Sequence, residues 1–102
     1  LKENIELAES QWDDIKSIEI CKYNLKETGE KHIGVIAQQL EEVGVNGLVE
    51  ESYLRDSDGN LEEESTKSVK YSVLYMKSIK ALQEAMERIE QLEQRVDAME
   101  NK

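Results

Sequence analysis

Residues 72–102 read SVLYMKSIKALQEAMERIEQLEQRVDAMENK, and this stretch decides the fold. With Leu82 placed at position a of a heptad, a is Tyr75, Leu82, Ile89 and Val96, and d is Ser78, Ala85, Leu92 and Met99. From Leu82 onward every a and d residue is apolar, the pattern of a coiled-coil seam. A repeat of about 3.5 residues per turn predicts a left-handed supercoil. Ile79 and Met86 fall at e and widen the stripe in its first half. The chain has no proline, so nothing interrupts a helix of this length. The spacing therefore predicts one amphipathic helix over 72–102 that self-associates, because the roughly 70 residues before it are too few to cover the stripe.

Charge sets the expected orientation. Arg88 and Arg95 occupy g, and Glu93 and Glu100 occupy e one heptad on. In a parallel, in-register assembly each g residue meets the following e residue of its neighbour, so Arg88–Glu93′ and Arg95–Glu100′ are both opposite in sign. Each pair contributes only about 0.2–1 kcal/mol at an exposed site, yet both disfavour antiparallel packing. Ile and Val at a with Leu at d suit a dimer, while the broad e stripe and small Ala85 leave a trimer open. The expected interface is Leu82, Ala85, Ile89, Leu92, Val96 and Met99, flanked by Arg88, Glu93, Arg95 and Glu100.

Upstream of the helix the pattern changes repeatedly. Ile5, Ala8, Trp12 and Ile15 share one face of a helix. Alternation over Ser17–Asn24 predicts a strand, Thr28-Gly29-Glu30 a turn, and His32–Ile36 a short buried strand. Ala37–Val43 predicts a short helix closed by Gly44, and Gly47-Leu48-Val49 starts another strand. Asp56-Ser57-Asp58-Gly59-Asn60 predicts a hairpin turn, Ser68–Tyr71 its return strand, and Ser72 the N-cap of the long helix. The fold class is thus α+β: a small mixed helix and strand head, residues 1–71, followed by a coiled-coil oligomerisation helix, residues 72–102. The head is expected to depend on the helix, and truncation before Met76 to cost it much of its fold.

Composition excludes several function classes. The 102 residues include 13 basic and 23 acidic, a net charge of -10, which is repelled by nucleic acid and by anionic membrane surfaces. No apolar run approaches the ~20 residues needed to span a bilayer, and no signal-peptide core stands out. An acidic chain made in the cytoplasm, with no nucleic-acid or membrane partner, is expected. The single Cys21 forms no internal disulfide and reads as a small buried hydrophobe. The acidic stretch Glu50–Glu64 reads as a solvated hairpin tip. Asp56, Asp58 and Asn60 alternate as in a calcium loop, but Leu61 stands where glycine is needed and Lys67 where glutamate is needed. No metal site or cofactor is expected, and no serine–histidine–acid set supports a free-standing hydrolase.

The block His32-Ile33-Gly34-Val35-Ile36-Ala37-Gln38-Gln39-Leu40, preceded by Leu1-Lys2-Glu3-Asn4-Ile5 and followed by Leu48-Val49 and Val69-Lys70-Tyr71-Ser72-Val73-Leu74, resembles a known family. It is similar to the C-terminal intramolecular chaperone domain of phage tailspikes and tail fibres, of the endosialidase type. The landmarks keep the family's order over essentially the whole chain, and Ile-Gly-Val-Ile-Ala-Gln is the most specific. Two departures occur: the family usually has Glu where Gln39 stands, and a proline soon after that helix. The resemblance implies a domain that trimerises, helps the preceding stalk of the same polypeptide fold in register, and is then released by serine–lysine self-cleavage. Its place would be the cytoplasm of the infected bacterium during virion assembly, and it would be absent from, or transient on, the mature fibre. The family's start motif is Ser-Asp-x-Arg-x-Lys, so the resemblance assigns Lys2 as the catalytic lysine. The serine is then expected four residues before residue 1, and the released chain is not expected to turn over. His32, Gln38 and Tyr71 carry no chemistry in this reading. The competing reading is a cellular scaffold or adaptor, a small α+β head on a coiled-coil dimer. It accounts for the helix and the charge but not for the Ile33–Gln38 string.

Overall fold

The computed structural model describes residues 1–101, and for Asn46, Leu54 and residues 62–64 the backbone alone. It is α+β: α1 (Trp12–Ser17), β1 (Cys21–Asn24), β2 (Lys31–Gly34), α2 (Ala37–Glu42), a 3-10 turn (Asn46–Leu48), β3 (Val49–Arg55), β4 (Leu61–Val69) and α3 (Tyr71–Glu100). The strands form two antiparallel two-stranded sheets, β1–β2 and β3–β4. The chain divides into two compact units, one of Ser17–Leu74 and one of Leu1–Lys16 with the helix from Tyr75 onward.

The unit of Ser17–Leu74 has its own core of Val35, Ala37, Leu40, Val45, Leu48 and Leu74. These side chains converge because α2 ends abruptly. The Gly44 N–H bonds the Glu41 carbonyl and the Val45 N–H bonds the Leu40 carbonyl, the paired closure of a Schellman motif. Gly44 has φ +84, a conformation that costs a residue with a Cβ roughly 1–2 kcal/mol. The closure folds Val45 back over Leu40, and both are buried. Next, the Lys70 N–H bonds the Leu48 carbonyl at 2.7 Å, pinning the end of β4 beside the 3-10 turn. Lys67 of β4 pairs with Glu41 of α2 at 3.0 Å. That half-exposed ion pair orients more than it stabilises.

Gly34 ends β2 where space is short. A Cβ there would lie 3.0 Å from the Tyr71 hydroxyl and 3.5 Å from the Tyr23 ring. The most specific part of the sequence string thus contains a position where a side chain would press on the Tyr71 hydroxyl and touch the Tyr23 ring.

Several elements differ from the sequence expectation. β1 begins at Cys21 rather than Ser17, because the Gln39 side chain takes the backbone groups a ladder would use. Its amide nitrogen donates to the Ser17 carbonyl and its oxygen accepts the Glu19 N–H, both at 3.3 Å. A glutamate could make only the second bond. β2 is not buried: His32 and Ile33 are exposed, and the buried residue is Val35, one past the strand. Cys21 is half-buried. β4 is longer than expected at nine residues, and α3 starts at Tyr71, placing Ser72 in its first turn rather than at its cap. The expected helix over Ile5–Ile15 is reduced to Trp12–Ser17. Asn4 has φ 50, and Glu3, Glu6 and Glu9 recur every three residues, so like charges would stack on one side of such a helix. With Ile5 and Leu7 exposed, nothing apolar offsets that cost.

Candidate functional site

The long helix carries the first candidate surface. Leu82, Ile89, Leu92, Val96 and Met99 are each between 51% and 72% exposed, and Ile79 and Met86 continue the stripe beside them. Of α3, only Leu74 and Ala81 are buried among the described residues. An apolar stripe of this length on one helix face is a candidate binding surface. Covering it gains about 1.5–3 kcal/mol for each large side chain fully removed from water. Glu93, Arg95 and Glu100 are exposed along its flanks.

A second feature lies on the same helix and was not foreseen from the sequence. The N-terminal arm docks on Lys77, Ala81, Glu84 and Arg88, which share one stripe at spacings of four, three and four. Glu84 is the anchor: one carboxylate oxygen accepts the Ser10 hydroxyl at 2.6 Å, the other the Gln11 N–H at 2.7 Å. Lys77 Nζ donates to Gln11 Oε1 at 2.8 Å and to Asp14 Oδ2 at 3.2 Å. The Arg88 guanidinium lies over the Trp12 ring, 3.6 Å from its centroid. Trp12 and Ile15 face Ala81, Leu82 and Ala85 across an open apolar groove of about 450 Å³. At exposed sites like these, solvent and salt screen the charged contacts, so the clasp orients the arm more than it stabilises the fold.

The clasp gives Arg88 a role beyond the expected pair with Glu93′. One face of its guanidinium rests on Trp12, and its edge N–H groups remain the ones suited to a carboxylate. The sequence signal for the clasp was faint: a lone tryptophan on a short acidic helix, with no local rule naming Arg88 as its partner.

The Glu84 carboxyl is held below its ordinary value, first by the Ser10 hydroxyl, then by the Gln11 N–H, with Lys80 and Arg88 adding favourable charge. A depressed native value means that docking is strongest above pH 4.5 and weakens as pH falls through the lower native value. Trp12, the single tryptophan, reports this directly. Its emission is expected to shift to the red below pH 4.5, with the shift blunted in Glu84→Gln. An emission spectrum unchanged down to pH 3 in the parent chain would contradict the anchor role.

Lys2, the expected catalytic residue, is exposed in the non-helical arm, and residues 1–10 around it are exposed as well. It is therefore not in the first turn of a helix. His32 stacks on Tyr23 at 5.9 Å between ring centroids and lies 3.2 Å from Glu30, on the outer surface of the first hairpin. Gln38 is exposed, and the Tyr71 hydroxyl lies against the space beside Gly34. In the acidic hairpin tip, Asp56 Oδ1 accepts the N–H groups of Asp58 and Asn60, at 2.9 and 3.0 Å. Among the described residues no group of three or more histidines, cysteines, aspartates and glutamates could hold a metal ion. Among them, too, no helix is long and apolar enough to cross a membrane.

Comparison with known proteins gives one finding. The family model described as chaperone of endosialidase matches residues 1–50, which include the arm, α1, the first hairpin, α2 and the Schellman closure. No curated protein matches the chain. The matched segment contains both Lys2 and the Ile33–Gln38 string that carried the resemblance. Residues 1–50 thus match the endosialidase-chaperone family, in agreement with the resemblance read from the sequence.

Proposed function

We propose that this chain is an intramolecular chaperone that trimerises through α3, registers the folding of a preceding phage fibre or tailspike stalk, and is released by serine–lysine self-cleavage. The setting is the cytoplasm of the infected bacterium during assembly. The observation that carries this reading is the exposed stripe Leu82–Met99 on a chain whose first half matches a chaperone family.

The physical logic is one of register. Three long chains that intertwine face a search in which local strand pairing specifies register weakly. A terminal trimer raises the effective concentration of the three strands to roughly the millimolar range and aligns their ends. Release then removes the nucleus, so the assembled stalk is kinetically trapped.

For the cut, Lys2 in its neutral form takes the proton of the upstream serine hydroxyl. The serine oxygen attacks the carbonyl carbon of the bond before it, the amide nitrogen leaves with a proton, and water splits the resulting ester. Serine and lysine are five residues apart in the family motif. In an extended arm that is up to about 17 Å, so the two groups meet only if the arm folds back or a neighbouring chain supplies one of them.

Light scattering coupled to gel filtration, at several concentrations, tests the assembly. The expected mass is three times that of the 11.8 kDa chain. A monomer at high micromolar concentration would sink the reading, and a clean dimer would point to a scaffold instead.

A further inference from the structure

We propose that Lys77, Glu84 and Arg88 are positioning residues for self-cleavage, tying the arm that carries Lys2 to the helix that assembles. This rests on the self-cleavage reading and adds to it the residues that deliver the lysine.

Three observations carry the inference. Residues 1–10 are exposed and non-helical, so they have no secondary structure of their own to place Lys2. The clasp begins immediately afterwards, at Ser10 and Gln11, and every α3 side chain in it lies on one stripe beside the apolar seam. The contacts are chemically varied: a carboxylate with two donors, an ammonium with two acceptors, and a guanidinium on a ring. Such a set recognises one register of the arm and rejects a shift of one residue.

The consequence can be put as a length. With the clasp closed, eight residues separate Lys2 from its anchor at Ser10, a reach of at most about 28 Å. With the clasp open, an anchor beyond α1 is Ser17, whose carbonyl accepts the Gln39 amide. The tether is then fifteen residues. Effective concentration falls as roughly the −3/2 power of tether length, which gives a loss of about 2.6-fold from length alone. Loss of direction adds to it.

The test uses the chain extended upstream through the serine and part of the stalk, followed by electrophoresis over time. Glu84→Ala removes both arm acceptors, and alanine is the best helix former, so α3 itself is not weakened. Trp12→Leu removes the ring while keeping an apolar side chain. Each is expected to slow the cut at least threefold at an unchanged oligomer mass by light scattering. Glu84→Ala should also shift the Trp12 emission to the red. Arg88→Lys, which keeps a cation over the ring, should retain most of the rate, whereas Arg88→Gln should not. A role confined to stability would move the melting temperature without separating Lys from Gln at residue 88. Parental rates in Glu84→Ala and Trp12→Leu, with the arm shown to be released, would overturn the positioning role and leave self-cleavage standing. A parent that does not cleave would overturn both.

Discussion

Replacing Leu92 with aspartate should leave the isolated chain monomeric. Leu92 is 57% exposed in the single chain, so the substitution costs the lone protomer little. In a parallel assembly the same position is a d residue, and one carboxylate from each copy would converge on the seam. Leaving an uncompensated charge in a buried setting costs about 3–5 kcal/mol. At 1.4 kcal/mol per factor of ten, even one such charge weakens association by more than about 100-fold. Light scattering should report a mass near 11.8 kDa, and circular dichroism a loss of helix, since a stripe without a partner stabilises its helix poorly. The unit Ser17–Leu74 has its own core and should keep its strand signal. An assembly of undiminished mass in Leu92→Asp would place the interface somewhere other than α3.

In the upstream-extended chain, Lys2→Ala should block the cut or slow it by orders of magnitude while folding and oligomer mass stay as in the parent. Lys2 is exposed on a non-helical arm, so nothing packed is lost with it. Lys2→Arg should fail equally, because a guanidinium keeps its proton at any pH a protein tolerates and cannot accept one from serine. Full-length chain in both variants and two fragments in the parent are the expected gel. Cleavage should also depend on protein concentration, because the extended arm brings serine and lysine together more readily in an assembly than alone. An Arg variant that cleaves at the parental rate would return Lys2 to the status of a surface residue.

What the sequence revealed followed the range over which its signals act. The long helix was legible because an apolar period sustained from Leu82 to Met99 has one periodic solution. The second hairpin was legible from Asp56 to Asn60, where side chains bond their own backbone. Gly44 was legible as a helix stop because a positive φ selects glycine. The start of β1 was not, because a glutamine twenty residues on takes its backbone groups. The short length of α1 was missed because apolar spacing was counted and the repulsion among Glu3, Glu6 and Glu9 was not. The clasp was beyond a local reading altogether: Ser10, Gln11 and Glu84 meet across more than seventy residues. Lys2 was singled out through the resemblance to the family motif, not through its surroundings.

The hairpin of β3 and β4 has a further consequence, for solubility. It is a sheet of only two strands, so each strand has one long side whose peptide groups have no neighbour within the sheet. Ribbons of this kind zip together edge to edge when chains are crowded, and the proposed assembly would bring copies of this one together. The acidic residues Glu50, Glu51, Asp56 and Asp58 sit along this ribbon and its tip, against the bases Arg55 and Lys67. Two such ribbons approaching in solution carry an excess of like charge, which opposes backbone pairing between them. The same acidity that gives the chain its net charge of -10 therefore also opposes amyloid-like stacking of this ribbon.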